Sequence, residues 1–186
     1  LFYAIIAFLG LIGVFNDLGM NPALVHFLPK FIKEKAQKKI KSAVSIVFLV
    51  ELITAIIISI IILSLRKPLA HHFFKTNLAL LVLPIFAFFF IIENITKLMM
   101  NIFKGYRKEI FYSSINPFRL LVVLVFSFFV SLYFEDSLLL IFSLIWLLSF
   151  FIEFLIYLVH LLKTCPALYK EKIRLKKSKR MFSKLI

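Results

Sequence analysis

The chain has 186 residues, of which 62% are hydrophobic, including 24 Phe but only four Gly. Soluble domains average roughly 45–50% apolar residues, and a globule of this size could not bury the excess. The mean hydropathy is +1.02, yet 23 Lys and Arg against nine Asp and Glu give a net charge of +14. This combination is typical of a polytopic membrane protein and excludes soluble enzymes, secreted disulfide scaffolds and disordered tails. The single cysteine, Cys165, excludes an internal disulfide and a cysteine metal cluster.

Five stretches are long enough to cross a membrane, which requires about 20 helical residues for about 30 Å of hydrocarbon. They cover residues 1–28, 42–65, 78–96, 116–134 and 137–162. Their apolar runs are continuous, whereas the strands of a membrane barrel alternate apolar and polar residues. The sequence therefore predicts an all-α polytopic transmembrane helix bundle with about five spanning helices over residues 1–165.

The first stretch contains residues that interrupt a helix or carry charge, namely Gly10, Gly13, Asp17, Gly19 and Pro22. The third contains Pro84, where a kink is expected.

The basic residues between the stretches predict how the chain is oriented. Twenty of the 23 Lys and Arg fall on alternate connections and the C-terminal segment, and three fall on the other side. By the positive-inside rule, the basic loops and the tail are cytoplasmic, in a multi-pass protein of the cell membrane. Residues 166–186 read as a basic linker and the start of an interfacial helix, attracted to anionic membrane lipids rather than to nucleic acid.

The ends of the sequence suggest a longer protein. It begins with Leu1 inside an apolar run, and Phe182, Leu185 and Ile186 are typical of the start of another helix. We therefore expect a further helix to follow.

Ionisable residues occur inside all five stretches, although each costs about 2.5–3.5 kcal/mol at the centre of a membrane helix. Such residues usually face a bundle interior or a water-filled cavity, so their presence on every helix indicates a solute pathway. No phosphate-binding loop, zinc-protease motif or nucleophile elbow is present, and we predict neither an enzyme nor a cofactor or metal site. The five residues are Asp17, Glu51, Glu93, Arg119 and Glu153.

Local spacing places some of these residues with polar neighbours. Asn116 and Arg119 share a helix face, Asp17 and Asn21 lie one turn apart, and Glu93 can pair with Lys97. His26 lies nine residues after Asp17 and would point the opposite way on an ideal helix, unless Pro22 redirects the chain.

Two segments resemble a known family. Residues 15–31, F-N-D-L-G-M-N-P-A-L-V-H-F-L-P-K-F, are similar to the second-helix signature D-L-G-x-x-x-A-L-x-R-F-x-P of polysaccharide flippases. Gly105-Tyr-Arg-Lys, continuing to Asn116-Pro-Phe-Arg119, resembles the turn and fifth-helix start of the same family. The spacing of the stretches agrees along essentially the whole chain. One departure is His26, which stands where the family usually has Arg.

The resemblance implies helices two to six of the N-terminal lobe of a MATE-like polysaccharide or O-antigen transporter. Such proteins belong to the multidrug/oligosaccharidyl-lipid/polysaccharide exporter superfamily and move polyprenyl-pyrophosphate-linked oligosaccharide to the outer leaflet by alternating access. Polysaccharide polymerase and other assembly proteins are the implied partners. The hypothetical substrate-binding residues are Arg119, Asn116, His26 and Asn21, and the residues expected to carry a coupling proton or sodium ion are Asp17, Glu51, Glu93 and Glu153.

Two alternatives remain open from the sequence. A cation-coupled multidrug antiporter would share the architecture but would favour cationic substrates, against which Arg119 argues. A membrane enzyme of glycan assembly would need a catalytic loop with metal-binding acids, and every loop here is short and lacks an Asp-x-Asp pair.

Overall fold

A computed structural model describes residues 1–17, 19–133 and 138–164, and every regular element within these ranges is helical. This confirms the predicted all-α membrane bundle. The predicted linker at 166–186 and the connection around Glu135 lie outside the described residues. The long helices are α1 (Phe2–Asp17), α2 (Met20–Lys33), α3 (Gln37–Ser64), α5 (Leu78–Gly105), α6 (Glu109–Tyr133) and α7 (Leu138–Thr164), and a short helix α4 (Arg66–Pro68) and a π-helical turn (Leu69–Phe73) connect α3 to α5.

Four helices, α3, α5, α6 and α7, are individually long and apolar enough to cross a membrane, and α1 with α2 together make a fifth, bent span. Several helices continue beyond the predicted stretches on the side where the basic residues lie. Helix α3 begins at Gln37 rather than at 42, and α5 ends at Gly105 rather than at 96. Hydropathy locates the hydrocarbon-crossing part of a helix, whereas Lys and Arg are good helix formers and let the helix continue into the interface.

The first span is broken at one place. Helices α1 and α2 differ in direction by 53°, and Gly19 between them has a left-handed backbone with φ of 73°. Glycine adopts this conformation without the steric penalty that a Cβ would impose. The other predicted interruptions lie within helices: Gly10 and Gly13 are inside α1, and Pro22 is in the first turn of α2, where no helical N–H bond is lost.

Helix α5 is the centre of the bundle and packs against α2, α3 and α7. Half of its most apolar 18-residue window is buried, against 11% for α6. Its two ends belong to different apolar clusters. One cluster joins Leu28, Ile40, Phe103 and Tyr157 at the end where the basic residues lie, which we call the basic end. The other cluster joins Phe2, Ala55 and Phe86 at the opposite end.

The approach of α2 to α5 at the basic end is close because residue 105 has no side chain. A Cβ built on Gly105 would lie 2.5 Å from Cδ2 and 2.9 Å from Cβ of Leu28. Small residues commonly permit such close helix contacts in membranes. The position of α2 against α5 therefore depends on this glycine.

Candidate functional site

The break in the first span brings together polar residues from α1, α2 and α3, which we call the break cluster: Asn16, Asp17, Asn21, Glu51 and Thr54. Asp17 is the last residue of α1, and its Oδ1 accepts a hydrogen bond of 2.8 Å from the backbone N–H of Asn21. The carboxylate of Asp17 thus satisfies one of the free N–H groups in the first turn of α2, where negative charge is favoured.

The side chain of Asn21 joins the break to α3. Its Nδ2 donates a hydrogen bond of 2.6 Å to Oε1 of Glu51, and both residues are buried. One turn along α3, Oγ1 of Thr54 lies 3.5 Å from the backbone oxygen of Asn16, and it also donates to the carbonyl of Val50 at 2.9 Å. These contacts place Asp17 and Asn21 next to each other, as predicted, although on two different helices, and they add Glu51 to that pair.

Within the described residues, several buried atoms of the break cluster have no hydrogen-bond partner. They are both side-chain amide atoms of Asn16, Oδ1 of Asn21 and Oε2 of Glu51. Asn16 is 1% exposed and Glu51 is 2% exposed. Buried polar atoms are rarely left unpaired, because desolvating each one is unfavourable.

A cavity of about 840 Å³ opens beside the cluster at the basic end of α2 and α5. Asp17 and Asn21 line it together with His26, Lys104 and Arg107. On an ideal helix, His26 would face away from Asp17. Both residues border the same cavity because the left-handed Gly19 interrupts the helical period between them.

A second polar site, which we call the Arg119 pair, lies between α6 and α7. Nε of Arg119 is 3.0 Å from Oε2 of Glu153, and both side chains are about nine-tenths buried. Nη2 of Arg119 donates a hydrogen bond of 2.7 Å to Oδ1 of Asn116, which confirms the predicted shared face. The guanidinium also lies over the ring of Phe150, with Cζ 3.7 Å from the ring centroid, and 5.3 Å from Trp146. Arg119 is therefore held by an acid, an amide and two aromatic rings.

The Glu93–Lys97 pair on α5 lies between these two sites. The predicted salt bridge is present, with 2.8 Å between Nζ and Oε1. Glu93 is within electrostatic range of Arg119 and Glu153, whereas Lys97 is within range of Glu51.

The residues predicted to bind substrate thus fall into two places. Asn21 and His26 line the cavity at the basic end, while Arg119 and Asn116 belong to the Arg119 pair, with a smaller cavity of about 210 Å³ beside Arg119 and Glu153. The structure does not bring Arg119 to Asn21 and His26.

Sequence reasoning missed the part that Asn16, Lys104 and Arg107 play in these sites. Asn16 precedes the charged Asp17 and attracts no notice by itself, although Asn at the end of an apolar run is a detectable signal. Lys104 and Arg107 read as loop charges that orient the chain, and only the packing of α2 against α5 shows that they line a cavity.

Comparisons with known proteins support the class of the molecule. In an alignment of 136 residues that covers 68% of this chain, the chain is 26% identical to a protein of Methanocaldococcus jannaschii described as an uncharacterized membrane protein. The aligned part is 27% of that relative, so the chain spans about a quarter of its length. No family model matches the chain, and no solved structure matches it. The chain is a membrane protein with several transmembrane helices.

Proposed function

We propose that this chain is part of a transporter that moves a lipid-linked oligosaccharide from the inner to the outer leaflet. The observation that carries the proposal is the cavity of about 840 Å³, which His26, Lys104 and Arg107 line together with Asp17 and Asn21 from the helix break. Phosphate groups are bound in proteins by positively charged side chains such as those of Lys and Arg. A polyprenyl-pyrophosphate would place its diphosphate at Lys104 and Arg107 and its chain in the surrounding lipid.

The position of the cavity also supports transport. It lies at the basic end, which the positive-inside rule assigns to the cytoplasm, and where a lipid-linked substrate would enter. Discontinuous helices that place polar backbone at a binding site are a common feature of alternating-access transporters. The resemblance of residues 15–31 to the flippase signature falls on the same break.

Reconstituting the full-length protein tests this proposal. Vesicles would contain a fluorescent polyprenyl-pyrophosphate disaccharide, and its transfer between leaflets would be followed by quenching from outside. In the double variant Lys104→Gln/Arg107→Gln, we expect the rate to fall by about a hundredfold, since each of the two lost charge–phosphate contacts is worth about 1.5 kcal/mol, or about a factor of ten. The matched control is Lys33→Gln/Lys38→Gln, which removes two exposed charges from the same end of the bundle away from the cavity.

Equal rates for the two double variants would contradict the assignment of the cavity. No transfer by the wild-type protein would contradict the flippase function itself.

A cation-coupled multidrug antiporter is the second candidate, and the break cluster is the observation that favours it. Two carboxylates, Asp17 and Glu51, meet there, and neither forms an ion pair within the described residues. The same vesicles, loaded with an organic cation such as ethidium, distinguish the candidates. Ethidium efflux without transfer of the pyrophosphate lipid would favour the antiporter.

A further inference from the structure

A further cavity at the basic end lies between α6, α7 and the turn that precedes α6. Its volume is about 660 Å³, and we call it the α6–α7 cavity. The turn contributes Arg107 and Lys108, and the two helices contribute a mostly apolar lining. No residue in its described lining is acidic, whereas Asp17 lines the large cavity beside the break cluster. The α6–α7 cavity is therefore suited to an anion. Its other lining residues are Phe111, Ser114, Ile115, Phe118, Ile156 and His160.

The turn after α5 holds Arg107 in a strained backbone conformation. The N–H of Arg107 donates to the carbonyl of Lys104 at 2.9 Å. The N–H of Lys108 donates to the carbonyl of Phe103 at 3.0 Å, and the two bonds close the helix end in a Schellman motif. Arg107 has φ of 56°, a left-handed conformation for which glycine is the usual residue. An arginine at this position costs stability, but its side chain supplies a cation to the cavity.

Lys108 is held at the same cavity by α7. Its Nζ donates a hydrogen bond of 3.3 Å to Oγ1 of Thr164, the last residue of α7, which uses one of the three donors of an ammonium group. Lys108 and Lys163 both act electrostatically on His160, which lines the cavity. Basic residues thus surround the cavity from the turn and from the end of α7. Such basic pockets between membrane helices bind the headgroups of anionic lipids.

The apolar lining follows one face of α6 away from these cations. Phe111, Ile115 and Phe118 are four and three residues apart, so they lie above one another on the helix. From Lys108 to Phe118 the chain rises by about 15 Å, which is half of a hydrocarbon core about 30 Å thick. His160 stacks on Phe111 with ring centroids 3.7 Å apart and so joins the two helices. Phe118 is 58% exposed, and a soluble anion would leave this apolar wall uncovered.

We propose that the α6–α7 cavity binds an anionic phospholipid of the surrounding membrane, with its phosphate at Arg107 and Lys108 and one acyl chain along α6. A guanidinium can donate to two phosphate oxygens at once, and an ammonium adds a further charge-assisted bond. The positive-inside rule assigns the basic end to the cytoplasmic leaflet, whose anionic lipids attract Lys and Arg. The wall on α6 has the length of one leaflet, so headgroup and chain both find matching surfaces.

This lipid site goes beyond the proposed function and does not require it. Arg107 lines both the α6–α7 cavity and the large cavity, whereas Lys108 lines the first and Lys104 lines the second. A bound phospholipid would hold the guanidinium that the two cavities share. Lys108 and Lys104 therefore distinguish the two sites experimentally.

Phospholipid binding to the purified full-length protein is the direct test. Native mass spectrometry from a neutral detergent would compare phosphatidylglycerol with phosphatidylcholine of the same acyl chains, and we expect phosphatidylglycerol to bind about tenfold more tightly or better. Arg107→Gly and Lys108→Gln should each weaken phosphatidylglycerol binding by about fivefold, the effect of one basic residue near an anionic lipid surface. The matched control is Lys35→Gly. Lys35 also has a positive φ, of 50°, and closes the end of α2 with the same pair of backbone bonds, but it does not line the cavity.

The glycine variants also separate binding from folding. Glycine relieves the left-handed strain, so the Tm in neutral detergent should not fall in Arg107→Gly or in Lys35→Gly. Phe118→Ala tests the apolar wall and should weaken phosphatidylglycerol binding severalfold. Phe126→Ala is its control, because Phe126 is a similarly exposed residue of α6, at 55%, that does not line the cavity.

Three results would overturn the proposal. They are equal affinities for phosphatidylglycerol and phosphatidylcholine, equal losses of binding in Lys108→Gln and Lys35→Gly, and competition by soluble glycerol phosphate as strong as that by the lipid. Displacement of phosphatidylglycerol by equimolar polyprenyl-pyrophosphate would also overturn it, since the cavity would then belong to the substrate site. Lys104→Gln should leave phosphatidylglycerol binding unchanged. Phospholipid binding that depends on Lys108, in a protein that transfers no oligosaccharide, would support this site and contradict the proposed function alone.

Discussion

The break cluster and the Arg119 pair each contain a buried carboxylate inside the helix bundle, but the two carboxylates have different partners. At the Arg119 pair, Glu153 meets a guanidinium at 3.0 Å, and that guanidinium is also covered by Phe150. At the break cluster, the carboxylate of Glu51 accepts a hydrogen bond from the amide of Asn21, and its second oxygen has no hydrogen-bond partner in the part of the chain that the structure describes. The first carboxylate therefore has a countercharge within the bundle, whereas the second has no ion-pair partner among the described residues.

The difference shows why an intramembrane charge is not by itself a functional residue. Arg119 and Glu153 join α6 to α7 through an ion pair of 3.0 Å. Glu51 lies next to a helix break and forms no ion pair within the described residues. Variants that remove one charge from each site should therefore have very different consequences for folding.

The largest effect is expected for Glu153→Gln. Removing this acid leaves Arg119 buried without a countercharge, and breaking a buried pair in this way costs about 3–5 kcal/mol of folding free energy. Unfolding in mixed micelles would measure the loss. The double variant Arg119→Leu/Glu153→Leu should recover most of it, because both charges are then removed, and an equally unstable double variant would contradict a structural ion pair.

A smaller effect is expected for Gly105→Ala, which tests whether the close contact between α2 and α5 beside the cavity depends on this glycine. The added Cβ overlaps Leu28, and overpacking of this kind costs about 1–3 kcal/mol. Because α2 would move away from α5, oligosaccharide transfer should also fall. Gly10→Ala is the matched control, since nothing lies within 4 Å of its added Cβ, and equal stability of the two variants would show that the α2–α5 contact is loose.

Ser59→Ala tests a hydrogen bond between two helices that involves no charge, and its effect serves as a reference for the two charged sites. Oγ of Ser59 on α3 donates a hydrogen bond of 2.9 Å to the carbonyl of Ala87 on α5. Such interhelical bonds contribute about 0.6 kcal/mol on average in membrane proteins. Thr96→Ala is the control, because the hydrogen bond that it removes runs to the carbonyl of Ile92 in the same helix. The loss of unfolding free energy should be greater for Ser59→Ala than for Thr96→Ala.

The smallest effect on stability is expected for Glu51→Gln. The amide keeps an acceptor for Asn21 and removes a buried charge that has no ion-pair partner among the described residues, so the free energy of unfolding should fall by less than about 0.5 kcal/mol or should rise. A loss as large as that of Glu153→Gln would mean that Glu51 has a countercharge after all, and would remove the contrast between the two sites.

The sequence by itself determined the class of the molecule and which segments form its membrane helices. Apolar runs of about 20 residues must be helical in lipid, because only a helix satisfies its own backbone there. Short-range side-chain pairs could also be predicted from the sequence, since Glu93–Lys97 and Asn116–Arg119 depend on helical spacing alone. The helix ends were less predictable, because basic residues extend α3 and α5 past the apolar stretches.

Only the tertiary structure decided which charges meet. Glu51 is 30 residues from Asn21 and Glu153 is 34 residues from Arg119, and no local rule specifies contacts across such separations. The left-handed Gly19 rotates α2 relative to α1, and Gly105 lets α2 approach α5, so Asp17 and His26 border one cavity although helical periodicity places them on opposite sides. Periodicity describes one continuous helix, whereas this site is formed where a helix is interrupted and its two parts pack against different neighbours.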